Sequence, residues 1–460
     1  MTVNLMDALP QMSYQMELPF ECRGEAPRVE GSEEASTAVD RETRPGTPSL
    51  LEEVLGRRNL HEALKRVERN GGSAGIDGMT VDELAPWLKS HWPQVRSDLL
   101  SGQYRPQPVK RQEIPKSGGG VRQLGIPTVL DRFLQQALLQ ILQPRIDPTF
   151  SKHSYGFRPG RRAHDAVRQA QGYLQAGYRI VVDVDLESFF DRVNHDVLMS
   201  RLARHVADKA VLGLIRRYLE AGVLVNGVKV DRYEGTPQGG PLSPLLANVL
   251  LDEVDKELER RGHRFVRYAD DCNVYVRSRR SGERVMAWLR HAYGRLRLRV
   301  NEEKSAVGGD LERPFLGFAF WVNREEVVRL KVSAKARKAM TDRVRKITCR
   351  RCGRSLEQVV EKLRRYLAGW KCYFHLSDTP RIFRGLDKWI RRRLRALQLK
   401  HWKRGPTAYL AMRERGVPPA VARMTAACIR SWWRGAGTQG MHMAMPNTLF
   451  DKLGVPKLAT

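Results

Sequence analysis

A chain of 460 residues with 42% hydrophobic content exceeds what one core usually organises, so two or three folded domains are expected. Its 80 Lys and Arg against 51 Asp and Glu leave a net charge of +29, a field that draws polyanions and fades with salt, and nucleic acid is the leading partner. No apolar run of about 18 residues and no secretory pattern appears, which argues against a membrane and for the cytosol or the nucleoid; six cysteines in so long a chain are expected as free buried thiols.

Residues 1–48 are acidic and turn-rich ("EGSEEASTAVDRETRPGTP") without periodicity, and are expected to be disordered. From Leu50, "LLEEVLGRRNLHEALKRVERN" has apolar residues at helical spacing, and "GGSAGIDG" stops that helix. "KRQEIPKSGGGVRQLGIP" reads as two short strands around a glycine turn, and "LDRFLQQALLQILQPRI" as a helix bounded by prolines. "YRIVVDVDLESFF" begins as a buried strand. "SPLLANVLLDEVDKELERR" is a helix with Ser243 at the N-cap and Pro244 at the first helical position. "FVRYADDCNVYV" is a hairpin with Asp270 and Asp271 at its turn, followed by the amphipathic helix "ERVMAWLRHAYGRLRL". Past Val332 the strand signals give way to basic helices, notably "LDKWIRRRLRALQLKHWKR". Mixed strands and helices of this kind predict an α+β core, and no internal repeat is present.

Two adjacent carboxylates raise each other's pKa unless a cation neutralises them. On its own an Asp-Asp pair is more often a polar turn. A two-metal phosphoryl-transfer site needs a further carboxylate from another element, and Asp185, at the end of the other strand that runs from apolar into acid, is the best candidate.

Several segments in order overturn the polar-turn reading. "YADD" at Tyr268–Asp271, "DLESFFD" from Asp185, "GTPQGGPLSPLLANVLLDEVD" from Gly235, "SYGFRPGRRAHDAV" from Ser154, "RLRVNEEKS" from Arg297, "FLGFAF" from Phe315 and "GWKCYF" resemble group II intron reverse transcriptase–maturases, especially the compact class C type. The likeness covers roughly residues 50–430. It implies a right-hand polymerase: extension and fingers at 49–155, palm at 156–328, helical thumb at 329–404 and a small DNA-binding domain at 405–460. The family's paired-cysteine nuclease motif is absent from this sequence, so second-strand cleavage is not expected.

The resemblance further implies that Asp185, Asp270 and Asp271, with the carbonyl of Leu186, hold two Mg²⁺ ions beside a primer end and a dNTP. Phe190 falls where the family places an aromatic under the sugar, excluding a 2′-hydroxyl; its alternative is core packing. Lys116 and Arg122 flank the glycine turn and suit a triphosphate, although such tips are often solvated. Gln238 and Gly239, with Gly240, would approach the nascent base pair, and Lys304 would serve pyrophosphate unless it is a solvated surface lysine. Arg158 is assigned to template or to neighbouring palm groups, and Asn301 to nucleic acid unless, like Lys304, it belongs to a solvated surface. Trp389, Arg391, Arg392, Lys400 and Lys403 on the basic helix would grip the template–primer backbone, against the alternative of a solvated charged face. Cys349, Cys352, Cys372 and His375 have zinc-like spacing, but packing is preferred.

Expected partners are therefore intron RNA, an RNA template with its DNA primer, and target DNA. Two alternatives stay open: a non-enzymatic splicing factor that binds RNA, and a free-standing reverse transcriptase in repair or phage defence.

Overall fold

A computed structural model describes residues 49–115, 121–225, 228–309, 313–351 and 353–459; the acidic leader lies outside the described residues. They divide into two compact units, 49–313 and 314–459. In the first, Ser49 and Glu52 form a reciprocal cap on α1 (Leu50–Val54). Gly56 then interrupts the run, so the single helix expected here is two, the second being α2 (Arg57–Asn70). α3 (Val81–Leu100) starts on a Thr80–Glu83 capping box. β1 (Val109–Pro115) and β2 (Val121–Ile126) form the expected antiparallel pair. α4 (Val129–Ile146) runs through Pro144, because a proline in the last turn removes little of the hydrogen-bond ladder.

After α5 (Ala163–Gln175), β3 (Ile180–Val184), α6 (His195–Leu202) and α7 (Lys209–Glu220), the chain adds β4 (Val223–Val225) and β5 (Val228–Val230) to the first hairpin. This gives a sheet of order β2-β1-β4-β5. α8 (Ser243–Arg260) begins one residue earlier than capping logic suggested. The Ser243 hydroxyl donates to the Pro237 carbonyl at 2.8 Å and accepts from Thr236 at 2.9 Å, so it pins the preceding loop and Leu242 takes the cap position.

The chain then forms β6 (Arg264–Tyr268), β7 (Asp271–Val276), α9 (Arg279–Arg295) and β8 (Ala306–Gly309). The second sheet has order β6-β7-β3-β8 with antiparallel neighbours throughout. Strand alternation gives it two chemically different faces. Val182 opposite Val274 and Val184 opposite Cys272 form the apolar face. Against it α9 lies so close that a Cβ on Gly282 would come within 2.6 Å of the Val307 side chain. Asp183 and Asn273 point to the other face.

The second unit opens with the β9 (Phe318–Val322) and β10 (Val328–Val332) hairpin, followed by α10 (Ala334–Ile347), α11 (Leu356–Phe374), α12 (Pro380–Trp402), α13 (Gly405–Glu414), α14 (Pro419–Ala427) and shorter helices. The "GWKCYF" segment ends α11 and builds this core. Trp370 lies 4.7 Å from Phe374 and 5.7 Å from Phe383, Phe318 lies 5.0 Å from Phe374, and the Tyr373 hydroxyl donates to the Leu316 carbonyl at 3.0 Å. These aromatics tie the β9–β10 hairpin to the helices, so the units change over at 313/314, upstream of the palm limit at 328 expected from the resemblance.

Cys272 is a free buried thiol, as expected, and Cys349 and Cys428 are partly exposed and outside any disulfide. Cys372 is instead disulfide-bonded, which corrects the expectation of free thiols and withdraws its sulfur from any zinc site. Cys352 lies outside the described residues. No helix among the described residues is long and apolar enough to cross a membrane.

Candidate active site

The topology brings three acids to one end of the second sheet. Asp185 follows β3 one step past the Val184–Cys272 pair, which sets it opposite Asp271. Tyr268 pairs with Asp271, leaving Ala269 and Asp270 as the two-residue turn of the β6–β7 hairpin. Asp183 lies two residues before Asp185 and shares its face.

The segment after α9 pins Asp185 from the β8 side. The Ser305 hydroxyl accepts the Asp185 N–H at 3.0 Å and donates to its carbonyl at 3.2 Å, while the Asn301 N–H donates to that carbonyl at 2.8 Å. Lys304 Nζ reaches Asp185 Oδ2 at 3.2 Å. The flanking bridge pairs Leu186 with Val300, and its bonds run from Asn301 to Asp185 and from Glu187 to Arg299. Leu186 is thus bypassed by that ladder. Its own carbonyl turns to the opposite edge, toward β7.

The electrostatics are those of surplus negative charge. Surrounding protein, then the carboxylates of Asp270, Asp183 and Asp185, push the pKa of Asp271 up to about 7, with Lys304 opposing. Asp271 keeps solvent access, so water offsets part of that rise. Burial likewise raises Asp183 despite Arg313, whose guanidinium lies 3.6 Å from it. Among the described residues no three His, Cys, Asp or Glu side chains are grouped so that they could hold a metal ion as they stand. The acids line one sheet end, with Lys304 drawn onto Asp185. A crowded carboxylate set with one flexible cation fits a hard divalent ion, which replaces the ammonium and relieves the crowding.

The loops beside this end are closely stitched. Phe190 is buried, edge-on to Phe189 at 5.0 Å, and its carbonyl accepts from the Thr236 N–H at 2.7 Å. Buried His195 meets the Gly235 carbonyl through Nε2 at 2.8 Å. The Gln238 carbonyl accepts from Gly125 at 2.9 Å, while its side-chain Oε1 is buried without a partner. A Cβ on Gly239 would lie 2.7 Å from the Gly125 carbonyl and one on Gly240 would lie 2.4 Å from Gln135 Oε1. Protein packing therefore accounts for both glycines. Lys116 and the side chain of Arg122 lie outside the described residues.

Three residues assigned from the sequence to nucleic acid, Arg158 with neighbouring palm groups as its alternative, make their contacts within the protein. Arg158 is buried and donates to both carboxylate oxygens and the carbonyl of Asp147 and to the carbonyls of Ser151 and Ser154, so its donors are consumed inside the protein. The Asn301 side chain accepts the Lys304 N–H at 3.3 Å and shapes the turn that holds Asp185. Arg391 is buried between Asp387 at 3.4 Å and Asp451 at 3.1 Å.

The rest of the basic helix is mostly engaged within its own unit. Trp389 is flanked by the guanidiniums of Arg345 at 5.8 Å and Arg393 at 5.3 Å. Arg392 stacks 4.4 Å from Trp433, and Lys400 bonds the Arg350 carbonyl near Trp432. Lys403 is exposed. On α10, by contrast, Lys335, Arg337, Lys338, Arg343 and Lys346 are all exposed.

Sequence reasoning missed Asp183, Ser305 and Arg313. The Asp-x-Asp spacing of Asp183 and Asp185 on a strand was a usable signal, since such residues share a face. Ser305 and Arg313 carry none, because their partners lie more than a hundred residues away.

An antiparallel sheet with acids at the tips of adjacent strands, beside a buried aromatic and a glycine-rich loop, defines a palm-type polymerase. The family model for reverse transcriptase (RNA-dependent DNA polymerase) matches residues 114–320, and that for the group II intron maturase-specific domain matches residues 337–416. The chain belongs to the group II intron reverse transcriptase–maturase family. It is 39% identical over 191 residues to Protein YkfC of Escherichia coli, covering 41% of this chain and 50% of that one. It is 37% identical over 184 residues to the group II intron-encoded protein LtrA of Lactococcus lactis, covering 40% and 31%. The matches thus span half or less of these relatives' own length. A solved structure, a partial Cas6-RT-Cas1–Cas2 complex, matches at 27% identity over 53% of this chain and 41% of that one, with a TM-score of 0.35. Reverse transcriptases use divalent metal ions.

Proposed function

We propose that the chain is an RNA-directed DNA polymerase that also binds intron RNA and assists its splicing, as part of a mobile intron. The carrying observation is the acid surplus at the sheet end: Asp271 crowded by Asp270, Asp183 and Asp185, with Lys304 the cation at Asp185. Such a cluster is costly without a divalent partner and useful with one.

Asp185, Asp270 and Asp271, with the Leu186 carbonyl, are the groups that would hold two Mg²⁺ ions. Bound there, the ions would activate a primer 3′-hydroxyl and stabilise the leaving pyrophosphate. Ser305 and the Asn301 N–H fix the backbone of Asp185, so its carboxylate direction is set before any ligand arrives. Lys304, once displaced from Asp185, is placed to give a proton to the departing pyrophosphate. Phe190, buttressed by Phe189 and tied through its carbonyl to Thr236, excludes a ribose 2′-hydroxyl and selects dNTPs. The partnerless Gln238 Oε1 is an acceptor for the incoming pair. Template and primer are held largely by sequence-tolerant phosphate contacts, for which the exposed cations of α10 and Lys403 are better placed than Arg391.

The maturase-specific match at 337–416 supports binding of intron RNA by the second unit. Primer extension on an RNA template with dNTPs and Mg²⁺ tests the polymerase, and extension that survives Asp270→Ala would refute the assigned chemistry. RNA captured with the chain in cells tests the second activity: its parent intron is expected, and unrelated transcripts alone would favour a free-standing enzyme.

A further inference from the structure

The β6–β7 turn that carries Asp270 is held from beneath by a charged group that surface patterning does not reveal. Ala269 sits at φ 59°, a left-handed conformation normally left to glycine in two-residue hairpin turns. Something must over-determine it. Arg267, two residues earlier, is only 1% exposed and turns its guanidinium back under the turn. Its Nη1 donates to the Ala269 carbonyl at 2.9 Å and to Asn248 Oδ1 at 2.9 Å. Its Nε and Nη2 are taken by Asp255, itself 1% exposed, at 2.6–2.9 Å. Asn248 in turn donates to the Gly156 carbonyl at 3.0 Å. Gly156 presses on the turn so closely that a Cβ there would lie 2.2 Å from the Ala269 nitrogen. The Arg267 backbone is fixed as well, through His153 and Tyr155 at 2.9 Å each.

We infer that Arg267, oriented by Asp255 and Asn248, is a positioning residue that locks the left-handed Ala269 turn and thereby aims Asp270 and Asp271 at the shared cation site. The inference rests on the polymerase reading above. A buried ion pair is a poor device for stability alone, since an apolar pair of similar volume serves as well or better. What an apolar pair cannot supply is a donor to the Ala269 carbonyl. Arg267 acts on the cation through the turn, as groups behind metal ligands commonly do, and their loss typically costs about 10–100-fold in affinity.

The test uses the full chain and Mn²⁺ alone, titrated by electron paramagnetic resonance, with duplex binding and thermal melting alongside. The paired variant Arg267→Met with Asp255→Leu is expected to melt near the wild type and bind an RNA–DNA duplex unchanged. Its Mn²⁺ half-saturation is expected to rise by about 10–100-fold, with primer extension following. A folded paired variant that binds Mn²⁺ as the wild type does would overturn the inference, because the pair would then be packing only. If the paired variant does not fold, Gly156→Ala decides, since its Cβ displaces the same turn without touching the pair. Weakened Mn²⁺ binding at unchanged duplex affinity supports the inference, and wild-type binding overturns it. A wild-type chain that bound no Mn²⁺ would overturn the polymerase reading and this inference with it.

Discussion

The acid end of the second sheet and the basic helix α12 are both dense in charge, yet they resolve it in opposite ways. On α12 the guanidiniums find partners inside their own unit: Arg391 between two aspartates, Arg392 and Arg393 against indoles, and Arg395 on the Met445 carbonyl at 2.9 Å and Asn447 at 3.1 Å. At the sheet end the carboxylates of Asp183, Asp185 and Asp270 all press on Asp271, with Lys304 and Arg313 the cations there. Charge neutralised at home builds structure. Charge held in surplus by a rigid backbone waits for something outside the chain. A run of arginines and a pair of aspartates look equally functional in a sequence, and only partner geometry separates them.

Breaking that contrast should have its largest effect at the acids. Asp185→Asn or Asp270→Asn is expected to lower primer extension on RNA by about a thousandfold or more, with duplex affinity kept, because the lost carboxylate acts on transition-state charge rather than on docking. Steady-state extension and filter binding measured together check this.

Next in size is a pH effect. With Asp271 raised toward about 7, less what its solvent access returns, and so above an unfolded carboxylate value near 3.9, the folded chain holds the extra proton between those limits. Without cation, stability should therefore fall as pH rises from about 4 to 7. Divalent-ion affinity should climb over the same upper range, by up to about tenfold per pH unit below 7, as proton and cation compete for one carboxylate. Mn²⁺ half-saturation at pH 6, 7 and 8 sharpens the point; a pH-independent value would mean that Asp271 is not a ligand.

Arg391→Ala probes the other side of the comparison. It should destabilise the second unit by about 3 kcal/mol, the scale for breaking a buried ion pair, read by denaturant unfolding. The salt dependence of duplex binding should not change. Smallest is neutralisation on α10: each of Arg337→Gln and Lys338→Gln should flatten the slope of log affinity against log salt by about 0.9 for each phosphate of duplex DNA that the side chain had neutralised. Unchanged slopes there, with a flattened one for Arg391→Ala, would reverse the assignment.

Much of this was legible in the chain. The apolar runs ending in Asp185 and turning at Asp270–Asp271 were readable because strand alternation and turn chemistry are local. The pairing of those strands came only through resemblance, since register between residues as far apart as Asp185 and Asp271 leaves no local mark. Arg267 illustrates what patterning hides: an arginine in a strand reads as solvent-facing, and its burial depends on Asp255 across a helix–strand boundary. Arg391 fails for the same reason. Asp387, four residues away on α12, was in view, but Asp451 lies sixty residues on. Ser243 shows a finer failure, where a residue suited to a cap was recruited by the loop before it.

The most direct test of the central claim is anomalous scattering from crystals of the full chain soaked in Mn²⁺. A peak shared by the carboxylates of Asp185 and Asp271 is expected, with Lys304 withdrawn from Asp185. Occupied Mn²⁺ sites elsewhere, with Lys304 still on Asp185 and no density between the two aspartates, would contradict it.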